Sequence, residues 1–440
     1  MRAEEAFRGG NVPDLIEATA ERTCVLQGKK WTDRERFLAS LSLEVDRTVL
    51  EPNEALQASL VRMFAAEPGK AVSSQLTVSF QIRPETGPAK PLVIGEQVPI
   101  GAVNTNATQK LRLFDGRYTL TATIAAGNEI LIEINRRLYS ISDFSDRITE
   151  LNASIARLKE RKPGAILAAT PEFQTRRLAS FIRTGVDGGI DAITELERIE
   201  AAVSAIAKGS NPFEAQRGEV ERAYRAADDA LVPYRLYIPR SYSPAGSAPL
   251  LVLLHGALGD ERSYLSDLYD SAAIKGEAEK RGYILATPNA RGRFSNYRGP
   301  GAEDVSEVIK AVMRDYKIDE NRVYLSGHSL GAFGTWLIAA DNPRMFAAVA
   351  PVSGGSPVHP SELPALLEKL TAVPAMIVHG AKDGIVPPDR SRSMYNAARK
   401  AGMKVIYLEV PEADHVGVVA ATVSAVMDFF DKQTKGAASR

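Results

Sequence analysis

The stretch Val323-Tyr-Leu-Ser-Gly-His-Ser-Leu-Gly-Ala-Phe-Gly-Thr-Trp336 constrains this chain more than any other. It opens on a short apolar run suited to a buried strand. It breaks at Gly327-His-Ser-Leu-Gly331 and continues into an apolar segment with helical character. A Gly-x-Ser-x-Gly turn between a strand and a helix lifts its serine onto a strained bend. The flanking positions must be glycine, because side chains there would run into the adjoining strand and helix. The five-residue pattern alone is weak, since Ser and Gly are common. The strand before it and the helix after it make it specific. The bland account is an ordinary strand-to-helix turn.

Composition bounds the rest. At 440 residues the chain exceeds one hydrophobic core, so two or three domains are expected. The 54 basic and 54 acidic residues balance, which gives no broad electrostatic footprint for nucleic acid, and none is expected as a partner. Cys24 is the sole cysteine, so no intrachain disulfide can form. With only five histidines beside it, the chain has little material for a metal site; neither a metal nor a cofactor is expected. No apolar run reaches membrane-spanning length, and the first ten residues lack a signal-type segment. The expectation is a cytoplasmic protein, or a secreted one whose signal has been removed. Nothing in the sequence speaks to oligomeric state.

The front half carries no evident chemistry. Residues 1–70 read as helical. Thr32 is an N-cap with Glu35 completing a capping box, Phe37 to Leu50 show helical spacing, and Pro52 starts a second helix through Leu56, Leu60 and Met63. Residues 71–140 read as a small antiparallel β unit. Leu76, Val78 and Phe80 alternate with polar neighbours, and a hairpin turns at Gly127-Asn128. Residues 141–212 return to helical periodicity. No histidine, clustered carboxylates or phosphate-binding loop occurs before residue 213. The doublets Arg136-Arg137 and Arg176-Arg177 suit an anion, but a solvated face is the simpler account. This half reads as a cover, a self-association surface, or a binder of a polymer or partner.

Residues 213–435 read as an α/β domain with a mostly parallel sheet. Glu219–Tyr224 and Leu231–Pro239 form an antiparallel lead-in hairpin, and Leu250–Leu254 is apolar throughout, as a strand buried on both faces should be. That strand ends in His255-Gly256. After Tyr283–Pro288 comes a loop at the C-terminal side of the sheet, where ligands bind. Its Arg291, Arg293, Phe294 and Tyr297 are candidate substrate contacts. Later strands deliver Asp383 and His415 into loops on the same side. Ser329, Asp383 and His415 thus form a candidate nucleophile, acid and base in hydrolase order. Asp414 is the rival acid, although adjacent residues usually point apart. His328 lies inside the turn, His379 reads as buried at a strand end, and His359 comes too early in the order.

Residues 218–430 resemble the serine esterase branch of the α/β-hydrolases that includes polyhydroxybutyrate depolymerase-like, feruloyl esterase-like and predicted-peptidase proteins. The likeness rests on Leu253-Leu-His-Gly256, Asp304, Arg322-Val-Tyr-Leu-Ser-Gly-His-Ser-Leu-Gly331, Gly334-Thr-Trp336, Phe346-Ala-Ala-Val-Ala-Pro351, His379-Gly-Ala-Lys-Asp383 and Val386-Pro387. It covers about half the chain. Relatives often carry Met after the nucleophile and Gly-Gly beyond; here Leu330 and Gly331-Ala332 stand there. The resemblance implies an α/β-hydrolase fold and maps the triad onto Ser329, Asp383 and His415. In such a fold the oxyanion donors are the N–H groups of Ala257 and Leu330, with Leu258 the alternative to Ala257. Losing one donor costs about 3 kcal/mol of transition-state stabilisation. The implied activity is hydrolysis of carboxylic esters, small or polymeric, with bulky or aromatic acyl groups in view. A serine peptidase and a non-catalytic binding or structural protein on a retained hydrolase fold are the alternatives.

Overall fold

A computed structural model of the protein describes residues 12–66, 76–86, 92–99, 105–160, 164–184, 190–292 and 295–435. The chain divides into two compact units, one of residues 1–154 and 174–201, the other of residues 155–173 and 202–440.

The first unit begins with helices Val12–Leu26 and Asp33–Ser40. Thr32 caps the second, its hydroxyl accepting from the Glu35 N–H. Eight strands follow: β1 (Leu41–Val45), β2 (Val49–Leu50), β3 (Ala55–Arg62), β4 (Leu76–Pro84), β5 (Leu92–Pro99), β6 (Thr105–Lys110), β7 (Gly116–Ala126) and β8 (Glu129–Ser140). They form a three-stranded sheet, β1-β3-β6, and a five-stranded sheet, β2-β8-β7-β4-β5. Leu43, Leu56, Ala58 and Leu60 from one sheet share a core with Val78, Phe80, Leu120 and Ile124 from the other.

This corrects the helical reading of residues 1–70. Helix stops at Ser40, and the chain from Leu41 to Arg62 is largely strand. Leu38, Leu41 and Val45 satisfy helical spacing, but Leu41 and Leu43 are buried while Glu44 between the β1 apolar positions is exposed. In β3, Leu56, Ala58 and Leu60 are buried, while Gln57 is exposed and Ser59 only partly covered. Over so short a run both periods fit, and burial against a second sheet selects the strand. Pro52 stands in a turn beside Asn53, whose φ is 69°. Within residues 71–140 the pairs β4–β5, β4–β7 and β7–β8 are antiparallel, as expected, and β2, which precedes that stretch, adds a parallel pair with Val49 opposite Tyr139 of β8. The expected hairpin at Gly127-Asn128 is β7 paired with β8.

Helices Phe144–Lys159, Gly164–Thr184 and Ala192–Ala207 follow. The second unit then builds one eight-stranded sheet from β9 (Gly218–Arg225), β10 (Leu231–Ile238), β11 (Ala248–Leu254), β12 (Ile284–Pro288), β13 (Ile318–His328), β14 (Ala348–Val352), β15 (Ala375–Gly380) and β16 (Val405–Val410). Its order is β16-β15-β14-β13-β11-β12-β10-β9. The β9–β10 hairpin pairs antiparallel at one edge, and every other neighbouring pair from β12 to β16 is parallel. The continuous apolar run of β11 has a simple cause. Leu250, Val252 and Leu254 enter the core on one side of the sheet, and Leu251 and Leu253 the core on the other. This is the α/β-hydrolase architecture: a mixed, mostly parallel sheet flanked by helices. The loops after β11, β12, β13, β14, β15 and β16 therefore share one end of the sheet.

Candidate active site

Ser329 sits between β13 and helix Leu330–Asp341 with φ 55° and ψ −115°, a conformation L-residues rarely hold. Its surroundings show why glycine must flank it. A Cβ on Gly327 would lie 2.3 Å from the Gly331 carbonyl oxygen, and one on Gly331 would lie 2.1 Å from the Leu254 carbonyl oxygen. Strand, turn and helix close on each other at backbone contact. The Ser329 N–H donates to the Val352 carbonyl at 2.9 Å, which ties the turn to the end of β14.

The structure brings Ser329, His415 and Asp383 together. Ser329 Oγ is 2.9 Å from His415 Nε2, and His415 Nδ1 is 2.7 Å from Asp383 Oδ2. A carboxylate oxygen can only accept, so Nδ1 carries the proton and Nε2 is free to accept from the serine hydroxyl. Asp383 Oδ1 accepts from the N–H groups of Ile385 at 2.9 Å and Val386 at 2.8 Å. Burial alone would push this carboxyl up. The hydrogen bonds from His379, His415, Val386 and Ile385 outweigh it and hold the group well below the usual carboxylate range. Asp414 points elsewhere: its Oδ1 accepts from Gly417 N–H at 2.7 Å, at the start of helix Gly417–Asp431.

The backbone of His415 is also fixed. Its carbonyl accepts from His328 Nε2 at 2.7 Å and from Ser353 Oγ at 3.3 Å. The Tyr269 hydroxyl, 2.9 Å from His328 Nδ1, donates to it and sets the tautomer. Burial depresses the His328 imidazole to about 3, so it stays neutral in this role at neutral pH.

The loop after β11 lies against the nucleophile. A Cβ on Gly256 would stand 3.3 Å from Ser329 Cβ. His255 holds that loop, with Nδ1 2.8 Å from the Gly256 carbonyl and Nε2 2.9 Å from that of Asn289. Ala257 follows immediately, and Leu258, with φ 65°, turns the chain away. Leu330 is the first residue of its helix, where N–H groups have no partner within the helix.

The substrate-loop candidates fare differently. Arg293 and Phe294 lie outside the described residues. Tyr297 is buried, its hydroxyl donating to the His255 carbonyl at 2.8 Å, and its ring stands where a Cβ on Gly334 would be. It braces the His255 loop. Arg291 pairs with Asp304 at 2.9 Å and Asp228 at 2.8 Å. Arg291 and Tyr297 both have positive φ, a backbone bend that strand counting does not reveal. Of the arginine doublets, Arg137 pairs with Glu85 and Arg177 with Glu195, each at 2.7 Å. Sequence reasoning did not single out Tyr269 or Ser353, and it expected His379 only to be buried. Tyr269 and Ser353 meet the site across 59 and 62 positions, which no local spacing marks, whereas His379 lies only four positions before Asp383.

Among the described residues no group of three or more His, Cys, Asp or Glu is gathered to hold a metal ion, and no helix is long and apolar enough to cross a membrane. Residues 232–362 match the family described as "Esterase PHB depolymerase". The chain is 28% identical over 166 residues to a bifunctional acetylxylan esterase/xylanase from Neocallimastix patriciarum, covering 37% of this chain and 23% of that protein. It is 31% identical over 121 residues to poly(3-hydroxyalkanoate) depolymerase C from Paucimonas lemoignei, covering 25% and 28%. The matches thus span about a quarter of each relative's length. Among solved structures, a thermostable esterase aligns at 15% identity over 90% of this chain and 100% of that one, with a TM-score of 0.41.

Proposed function

We propose that this chain, which is similar to polyhydroxybutyrate depolymerase-like proteins and to feruloyl and acetylxylan esterases, hydrolyses carboxylic esters through an acyl-enzyme. One observation carries the reading: the serine hydroxyl, imidazole and carboxylate stand in line at 2.9 and 2.7 Å.

Ser329 Oγ attacks the ester carbonyl carbon while its proton passes to His415 Nε2. Asp383 keeps Nδ1 protonated and stabilises the imidazolium. The carbonyl oxygen becomes an oxyanion facing the N–H groups of Ala257 and Leu330, whose dipoles are fixed before the charge develops. Collapse expels the alcohol, which takes the proton from His415 Nε2. Water then repeats the sequence on the acyl-enzyme and releases the acid.

The substrate class is argued from the surroundings. Between β14 and β15 the chain inserts only the short helix Leu363–Lys369, so no cap domain is built there. An uncapped strand end suits bulky, aromatic or polymeric esters, in keeping with the acetylxylan and polyhydroxyalkanoate relatives. Ser329→Ala tests the chemistry: hydrolysis of a short p-nitrophenyl ester should fall at least about 10⁴-fold with the fold intact. Undiminished turnover sinks the reading. Matched ester and amide substrates separate an esterase from a peptidase.

A further inference from the structure

Behind Asp383 stands a second histidine. His379, on β15, is fully buried. Its Nε2 lies 3.0 Å from Asp383 Oδ2 and 2.9 Å from the Val386 carbonyl oxygen. Both are acceptors. The neutral alternative at that nitrogen, a bare lone pair, would face two oxygens and be repelled by each. The geometry therefore requires a proton on Nε2. The other nitrogen, Nδ1, is 2.7 Å from Ser391 Oγ, which in turn lies 2.9 Å from the Gly354 carbonyl. Ser391 fixes the ring from behind, so the Nε2–H cannot swing away from the carboxylate.

Asp383 Oδ2 is thus shared by two imidazoles, His415 Nδ1 at 2.7 Å and His379 Nε2 at 3.0 Å. The other oxygen is held by two backbone N–H groups. We infer that His379 is a positioning residue for the triad: its Nε2–H clamps Asp383 so that Oδ2 faces His415, and it lowers the carboxylate's pull on the His415 proton. The inference rests on the ester-hydrolase reading of the same site. A carboxylate with too few donors draws the imidazole proton strongly and leaves His415 a sluggish donor to the leaving group. A carboxylate with a full set of donors keeps orientation without over-stabilising the imidazolium.

Every charged group near His379 enters that balance. Asp383 touches it directly, and His415 lies across that carboxylate. Glu409 is its register partner on β16. The His328 ring packs on that of His415, with centroids 4.6 Å apart.

Two substitutions separate positioning from packing. His379→Gln places an amide N–H near the position of Nε2, whereas His379→Asn is too short to reach Asp383. We expect His379→Asn to lower kcat about 10- to 100-fold with KM little changed. The acid limb of its pH–rate profile should move to higher pH, because a carboxylate short of a donor favours the charged form of the imidazole it faces. His379→Gln should restore most of the rate and the original acid limb. Equal losses in both variants with an unmoved acid limb would mean that His379 is packing alone. Imidazole ¹⁵N spectra of the wild-type protein add a readout that needs no turnover. Nε2 of His379 should be protonated at neutral pH, and an unprotonated Nε2 overturns the inference. If the wild-type protein hydrolyses no ester, the esterase reading fails, and the His415 Nδ1–H resonance still decides this point. A resonance shifted in His379→Asn and restored in His379→Gln supports the clamp; one unmoved in both rejects it.

Discussion

The two units of this chain bend their backbones for different reasons. In the first unit the non-glycine residues with positive φ among those described are Asn53 and Asp143. Asn and Asp enter that region readily, so these are ordinary turns. The second unit has two such turns, at Asp229 and Asp270, and in addition Leu258, Ala290, Arg291, Tyr297, Ser329 and Ser353 have positive φ. None of these six is Asn or Asp, and all follow the C-terminal ends of β11 to β14. Each such conformation costs of order 1–3 kcal/mol and persists only where surrounding contacts enforce it. The enforcing contacts are visible: Ser329 N–H on Val352, Ser353 N–H on Val378, and Tyr297 hydroxyl on His255. Strain gathered at one end of one sheet distinguishes the unit that carries the candidate chemistry from the unit that does not.

The sharpest way to break that contrast is to remove the space that the turn at Ser329 needs. In Gly331→Ala the new methyl would stand 2.1 Å from a backbone oxygen of β11, which cannot move aside as a side-chain tip can. We expect stability to fall by about 3 kcal/mol. Ester hydrolysis should fall about 100-fold or more, because shifts of this size misplace the nucleophile. Urea denaturation and steady-state kinetics measure the two effects. Near-normal values for both would mean that the turn is looser than its contacts imply.

Acid separates the units next. His328 is buried neutral with its folded value depressed to about 3 from an ordinary 6.5. Its contribution is complete above 6.5 and is lost as pH falls from there toward 3, since the unfolded chain takes up the proton first. At pH 5 this amounts to about 2 kcal/mol from the second unit. In the first unit, Asp191 is held at about 2 by its hydrogen bonds to Arg117, against 3.8 ordinarily. That contribution survives until pH drops below about 4. Trp31 lies in the first unit and Trp336 in the second, so each can report its own unit once the other is replaced by Phe. Between pH 6.5 and 4 the midpoint seen by Trp336 should fall while that seen by Trp31 holds. His328→Gln should flatten the Trp336 slope; an unchanged slope would assign it to other groups.

The same contrast explains what could be read from the sequence. The turn at Ser329 was legible because its glycines answer a demand of close backbone contact that a short motif records. The sheet of the second unit was legible because β11 and β15 are apolar on both faces, which few other structures tolerate. The strands at Leu41–Val45 and Ala55–Arg62 were not, because a short amphipathic run fits both periods until a second sheet covers it. Arg291 and Tyr297 were placed at the end of the sheet where the structure has them, but not their partners. The partners that settle where they point, Asp228, Asp304 and His255, lie far away in sequence. His379 was expected to be buried, and its contact with Asp383 depends on a rotamer that no spacing encodes.

The smallest effect tests the ordinary turns. Gly127 joins β7 to β8 with φ 58°, and a Cβ there would meet nothing within 4 Å. Gly127→Ala therefore suffers only the conformational penalty of a left-handed backbone, about 1 kcal/mol, with no collision added. Gly127→Asn should cost less than Ala, because Asn tolerates that region. Both variants should hydrolyse a soluble ester at the wild-type rate. This is the opposite of the Gly331 case, where the φ is ordinary and the space is absent. If Gly127→Ala were as damaging as Gly331→Ala, or if it slowed hydrolysis, the hairpin would carry a constraint beyond its own turn, and the division between a strained catalytic end and a relaxed front unit would not hold.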